Sequence, residues 1–162
     1  MARVVVAAEI GTTIEPGDVG RVAALHGRVY ADYGLGPGFE AFVAKCLAAI
    51  AMGEQPGTIW LARAEDSQLL GSIALESHPG RGRIRVLVVA PEARGSGLGN
   101  ALLEAALGET RARGFATVDL WTFDRLDVAA HLYRKHGFSV VEEQTAHRWG
   151  VELREQRYEL VL

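Results

Sequence analysis

Between Pro91 and Asn100 the chain sets Gly95, Gly97 and Gly99 at alternate positions, behind an apolar run and ahead of residues at helical spacing. Without a Cβ, backbone can approach a ligand closely. A helix that starts there has unpaired N–H groups and a partial positive charge at its first turn. Those features together suit an anion, and a pyrophosphate in particular.

Three phosphate-binding patterns compete for this turn. A Walker-type loop requires Lys and then Ser or Thr after its last glycine, but Gly99 is followed by Asn100 and Ala101, so that pattern fails. A dinucleotide fingerprint requires G-x-G-x-x-G, and Asn100 stands where its last glycine belongs. Asp119 does lie about 20 residues further on, as a ribose-binding acid would. Against this, the preceding strand reads as part of an antiparallel meander. A coenzyme A loop requires Arg or Gln, two residues, Gly, one residue, then Gly or Ala; Arg94, Gly97 and Gly99 fit it.

Composition narrows the classes. The 162 residues amount to one domain, with 17 Lys and Arg against 20 Asp and Glu, a formal net charge of -3. That balance speaks against a general nucleic-acid binder, which shows a net basic face. Cys46 is the single cysteine, so an internal disulfide and a Cys-rich zinc site are excluded and a reducing compartment is expected. No H-E-x-x-H occurs, and no metal is expected. The run Val4 to Ala8 is shorter than a signal-peptide core, and no apolar stretch nears the roughly 20 residues of a membrane helix. A cytoplasmic protein follows as the expectation.

The elements that must hold the turn follow from periodicity. Val4–Val6 reads as a first strand. Asp18 is a plausible N-cap for a helix whose Val19, Val22, Ala23, His26, Val29, Tyr30 and Tyr33 recur at helical spacing. A second helix reads from Phe39 and ends near Gly53. Thr58–Ala64, Leu70–Glu76 and Arg83–Val89 read as an antiparallel meander, stopped by Pro91. Gly97–Arg113 returns to helical spacing, and Ala116–Trp121 is a strand. Asp127–His136 is a short helix, and Ser139–Glu142 and Tyr158–Leu162 are two short last strands. Expected is an α/β (α+β) fold: a mixed, mostly antiparallel sheet of about six to seven strands with about four helices packed on it.

With these segments in place, the chain resembles the GNAT superfamily of N-acetyltransferases. Val88 to Gly99, with Leu102 and Leu103, matches the coenzyme-loop motif of that family, and Ala129-Ala130-His131-Leu132-Tyr133 through Gly137-Phe138 matches a second. Further similarity at Gly17–Gly20, His26-Gly27, Tyr30, Tyr33-Gly34, Phe39-Glu40, Leu120–Thr122 and His147–Gly150 points to the branch whose members often follow a MarR-type repressor domain. Here the first strand begins near Arg3, and one GNAT domain over 1–162, without that repressor domain, is expected.

The resemblance implies acetyl-CoA as co-substrate and acetyl transfer to a primary amine, a small molecule or peptide, in a ternary complex. It places Leu87, Val88 and Val89 against the pantetheine arm, with a backbone N–H there as oxyanion donor. It places Arg94, Gly95, Ser96, Gly97, Leu98, Gly99 and Asn100 around the pyrophosphate, and Tyr133 beside the sulfur as the acid that protonates the leaving thiolate. Arg134 and Lys135 are further candidates for coenzyme phosphates. Many relatives carry Asn early in the helix before Tyr133, where this chain has Leu126. Candidates for the base are Glu76, Glu40, Asp32, His26, His147 or an ordered water, and the residues do not choose among them. Cys46, on a half-buried helix, is a poor candidate for a covalent intermediate. A non-catalytic acyl-CoA sensor of the same fold and a nucleotide-binding oxidoreductase are the rival readings. No nucleic-acid or membrane partner is expected, and the late strands offer an edge for a homodimer.

Overall fold

The computed structural model describes residues 7–162, so the strand expected at Val4–Val6 lies outside the described residues. In chain order the elements are β1 (Glu9–Gly11), α1 (Asp18–Ala31), α2 (Pro37–Ala51), β2 (Gly57–Arg63), β3 (Leu69–His78) and β4 (Arg81–Val89). There follow a single 3-10 turn (Pro91–Ala93), α3 (Leu98–Ala112), β5 (Thr117–Phe123), α4 (Asp127–Lys135), β6 (Ser139–Arg148) and β7 (Val151–Val161). The strands form one seven-stranded sheet in the order β1-β2-β3-β4-β5-β7-β6. Every neighbouring pair is antiparallel except β4 and β5, which are parallel.

Both faces of the sheet are covered. Along β2, Ile59 and Leu61 face Val22 of α1 and Val43 and Leu47 of α2, while Trp60 and Ala62 face a cluster with Leu102, Leu103 and Leu107 of α3. A two-sided core explains the nearly unbroken apolar character of β2 and β3, since strands buried on both faces lose their alternation.

Two boundaries differ from expectation for identifiable reasons. Gly17, in left-handed conformation at φ 92°, caps α1 in place of Asp18. The Asp18 carboxylate turns away to accept hydrogen bonds from Arg63 of β2 (Nη1, 3.1 Å) and from the Glu15 N–H (2.7 Å), tying the helix start to the sheet. The last two strands are ten and eleven residues long, well beyond Ser139–Glu142 and Tyr158–Leu162. Their middle sections are largely polar apart from the buried Leu153, and cross-strand pairs such as Arg154 with Glu143 and Arg157 with Glu142 join them. The hairpin turns at Trp149 and Gly150, both at positive φ, as a two-residue turn of matching twist requires.

The sheet is irregular at one place that matters. Two residues of β4, Val86 and Leu87, stand opposite the single Ile73 of β3, a β-bulge. Val86 sits at φ 51°, and the Ser72 hydroxyl donates to its carbonyl at 2.9 Å.

Candidate active site

β4 and β5 are paired over three positions only: Arg81 with Thr117, Gly82 with Val118, and Arg83 with Asp119. Beyond Arg83 the two strands part. The β5-facing edge of Ile84–Val89 is therefore free of ladder partners, although its other edge stays paired to β3 through Val89. A cavity of about 400 Å³ fills the opening.

The glycine turn lies at the end of β4. Gly95 and Gly97 adopt φ 74° and 85°, the left-handed region that favours glycine. Gly97 is the cap residue of α3, and no side chain caps that helix. The first intrahelical bond runs from the Ala101 N–H to the Gly97 carbonyl, which leaves the N–H groups of Leu98, Gly99 and Asn100 directed out of the helix start. A Cβ built on Gly97 would meet nothing within 4 Å, and one on Gly99 would make ordinary contacts with Val89 and Leu132. The glycines thus keep an open cradle over a positive helix end, which fits a pyrophosphate. Ser96 serves the loop itself, its hydroxyl donating to the Ala93 carbonyl. Arg94 is exposed beside the turn.

The side chain of Asn100 is committed elsewhere. Its Oδ1 accepts from His136 Nε2 at 2.8 Å and its Nδ2 donates to Glu104 at 3.0 Å. Its backbone N–H and the second Nδ2 hydrogen remain for an anion. The His136 bond fastens the start of α3 to the end of α4, and so joins the two sequence motifs in space.

Of the three β4 residues singled out from the sequence, Leu87 lines the cavity. The Val88 side chain is buried with Leu25 and Ala90, and Val89 packs into the core that holds α3. Tyr133 of α4 also lines the cavity. Its ring packs on Phe138 (5.9 Å between centroids) and Tyr158 (5.5 Å). Burial pushes its phenol well above the ordinary value, so it stays protonated throughout the physiological range. Tyr30, opposite on α1, is pushed up to about 12 by burial and lies with its hydroxyl 3.5 Å from the Leu87 carbonyl. Leu126, at the start of α4, contributes an apolar side chain to the same wall.

The candidate bases separate. His26 is 1% exposed and lines the cavity. Its Nδ1 is 2.8 Å from the Val22 carbonyl, which can only accept, so Nδ1 carries the proton. Nε2 is buried and bonded to nothing among the described residues. Burial lowers the imidazole to about 4, so His26 is neutral at pH 7 and a weak base. Glu76 is buried against Arg85 and His78 and does not line the cavity, and Asp32, Glu40 and His147 are exposed. Cys46 is buried, and burial raises its thiol. Arg134 and Lys135 are exposed.

The far wall of the cavity was not foreseen. Gly36 donates its N–H to the Trp149 carbonyl at 2.9 Å, which pins the β6–β7 turn over the start of α2. The Trp149 ring then packs on Phe39 (5.1 Å) and Phe42 (5.3 Å). Glu155 of β7 and Arg83 and Arg85 of β4 also line this end. The one available signal was the alternation of Arg81, Arg83 and Arg85, which places all three on one face of a strand.

Residues 55–140 match the model of the acetyltransferase (GNAT) domain family. That is more than half of the chain, and the chain belongs to this family. Among curated proteins it is 40% identical over 91 residues to a mycothiol acetyltransferase of Cellulomonas flavigena, covering 49% of this chain and 26% of that one. It is 38% identical over 69 residues to an IAA acetyltransferase of Azospirillum brasilense, covering 43% and 45%. The match thus spans about a quarter of the first relative and under half of the second. Among solved structures, an N-acetyltransferase of Staphylococcus aureus superposes with a TM-score of 0.77 over 96% of this chain and 98% of that one, at 18% identity. An acetyltransferase of Streptococcus agalactiae gives 0.73 over 96% and 98%, also at 18%. The fold is that of the GNAT acetyltransferases.

Proposed function

We propose that the protein is an acetyl-CoA-dependent N-acetyltransferase that moves an acetyl group to a primary amine by direct transfer in a ternary complex. The observation that carries this reading is the parting of β4 and β5. It leaves the edge of β4, between the uncapped start of α3 and a cavity that holds Tyr133, free of ladder partners. The family, whose members use acetyl-CoA, supports it.

In this reading the thioester supplies an activated acetyl group. The N–H groups of the Gly95–Asn100 segment bind the pyrophosphate, Arg94 adds charge beside it, and the free β4 edge at Leu87–Val89 orients the pantetheine arm. A β4 N–H polarises the acetyl carbonyl. The amine nitrogen forms the new C–N bond, the C–S bond breaks, and the nitrogen gives up one proton to solvent or a relayed water. Tyr133 gives one proton to the departing sulfur and regains one from solvent, so acetyl-CoA and amine become N-acetylamine and CoA with atoms balanced. His26, buried and neutral at pH 7, does not carry the proton away.

The test is release of free CoA from acetyl-CoA with a panel of amino acids, polyamines, aminoglycosides and peptide N-termini, beside calorimetric titration of CoA. Amine-dependent release is expected. Tight CoA binding with no release across the panel would instead favour a non-catalytic acyl-CoA sensor.

A further inference from the structure

Three guanidinium groups line the acceptor end of the cavity. Two are spoken for. Arg83 donates from Nε and Nη2 to Asp119 at 2.9 and 2.8 Å, and Arg148 donates from Nε to Glu155 at 2.9 Å. Arg85 differs. Its Nε is buried and hydrogen-bonded to nothing among the described residues. The carboxylate beside it, Glu76, stands 3.3 Å away but out of line, and its other oxygen faces His78 Nε2 at 3.3 Å. The Arg85 guanidinium lies over the Phe42 ring, 5.8 Å from the centroid, on the wall built from Phe39 and Trp149.

We propose that Arg85 binds a carboxylate carried by the acceptor, and that the acceptor is an amino acid with an apolar or aromatic side chain. This rests on the N-acetyltransferase reading above. Charge points this way first. Among the described residues three cations and one carboxylate, Glu155, line the cavity; Asp119 and Glu76 pair with Arg83 and Arg85 from outside that lining, and Glu155 is bonded to Arg148 and Gln144. A polyamine would bring several ammonium groups against guanidinium groups. An amino acid brings one carboxylate to the guanidinium whose carboxylate neighbour, Glu76, stands 3.3 Å from Nε and out of hydrogen-bond line, and a charge-assisted bond there is stronger than a neutral one. The Phe42 ring beside it offers the guanidinium a cation–π contact, and a guanidinium's planar fork suits a planar carboxylate better than a sphere of charge. Size and polarity agree: the rings of Tyr30, Phe39, Phe42 and Trp149 offer an apolar body a wall, within about 400 Å³. Phenylalanine would give N-acetylphenylalanine and CoA, with the bond changes already described.

The experiment compares matched acceptors in the wild-type protein with acetyl-CoA: phenylalanine against phenethylamine, leucine against isoamylamine, and spermidine as polyamine. The carboxylate-bearing member of each pair is expected to have the higher kcat/KM by about tenfold or more, the size of a charge-assisted bond. In Arg85→Gln the ratio within each pair falls toward one, mainly through KM for the amino acid, and Arg85→Lys recovers part of it. Thermal melting of both variants checks that they fold, and the wild-type ratios need no variant. Equal or better use of phenethylamine, isoamylamine or spermidine by wild type would overturn the proposal and leave the acetyltransferase reading standing. So would an Arg85→Gln that slows both members of a pair alike. No transfer to any amine would overturn both.

Discussion

Arg83 and Asp119 meet twice: they are the last register pair of the parallel β4–β5 ladder, and their side chains share two hydrogen bonds of 2.9 and 2.8 Å. The strands separate at the next residue. Arg81 and Arg157 approach the same carboxylate at 3.2 and 3.4 Å. This cluster closes the vertex of the opening that holds the site.

Asp119→Asn should therefore destabilise the protein by about 3 kcal/mol, because it leaves three guanidinium groups around an uncharged amide. Burial alone would raise the Asp119 carboxyl, but the Arg83 hydrogen bond and the charges of Arg83, Arg81 and Arg157 outweigh it and hold it below its ordinary 3.8. Its contribution is present above that value and is lost as pH falls through the lower folded value. Urea unfolding should show the wild type losing stability below about pH 4, with a shallower loss in the variant. Equal slopes would mean that the cluster is not the acid-sensitive element.

His26 acts in a separate pH window. The unfolded imidazole takes up a proton near 6.5, but burial delays this in the folded protein to about 4. Stability is full above 6.5 and falls as pH drops toward 4, by up to about 3 kcal/mol. His26→Leu should remove this limb. An unchanged slope between pH 6.5 and 4 in the variant would place the titrating group elsewhere.

Gly97→Ala separates backbone strain from ligand approach. The added methyl meets nothing in the protein, so the cost to folding is the left-handed conformation, about 1 kcal/mol. Calorimetry should show CoA affinity falling about tenfold or more, a loss that the folding cost, shared by free and bound protein, does not produce. Gly99→Ala, whose methyl makes only ordinary contacts, should retain most of the affinity. Wild-type affinity in Gly97→Ala would sink the pyrophosphate assignment.

Arg94→Ala should weaken CoA more at low salt than at high salt, since an exposed cation beside a phosphate acts through a screened charge. A loss independent of ionic strength would give Arg94 a structural role.

Tyr133→Phe keeps the ring contacts with Phe138 and Tyr158 and removes only the proton donor. Melting should barely move, and kcat should fall about 100-fold. KM for acetyl-CoA should change less, because the contact serves the transition state. A donor with a more acidic thiol should lose less rate. Unchanged kcat, with chemistry rate-limiting, would make Tyr133 a packing residue.

Helices α1 to α4, the meander and the glycine turn were legible because each declares itself within a short window, through spacing, Gly and Pro. The long hairpin was not. In Glu142–Arg148 and Val151–Arg157 the stabilising partner of each charge lies across the strand, so local hydrophobicity carries no sign of it. Val86 gave no hint of positive φ, because a β-branched residue reads as plain strand. The aromatic wall of the cavity was the least legible part. Phe42, Arg85, Trp149 and Glu155 are distant in sequence and meet only through the Gly36–Trp149 bond and the sheet order.

The cavity draws its two walls from different stretches of chain, and this bears on how such a protein diversifies. Residues 55–140, which match the family model, supply β4, the glycine turn and α4. Phe39, Phe42, Arg148, Trp149 and Glu155 lie outside that stretch. On the proposed reading, drift in the outer segments can retune the aromatic end of the cavity while β4 with Arg85, the glycine turn and α4 stay as the family has them. Paralogues that share this chain's glycine turn yet differ at its aromatic wall should part company in their acceptors and keep a common acyl donor.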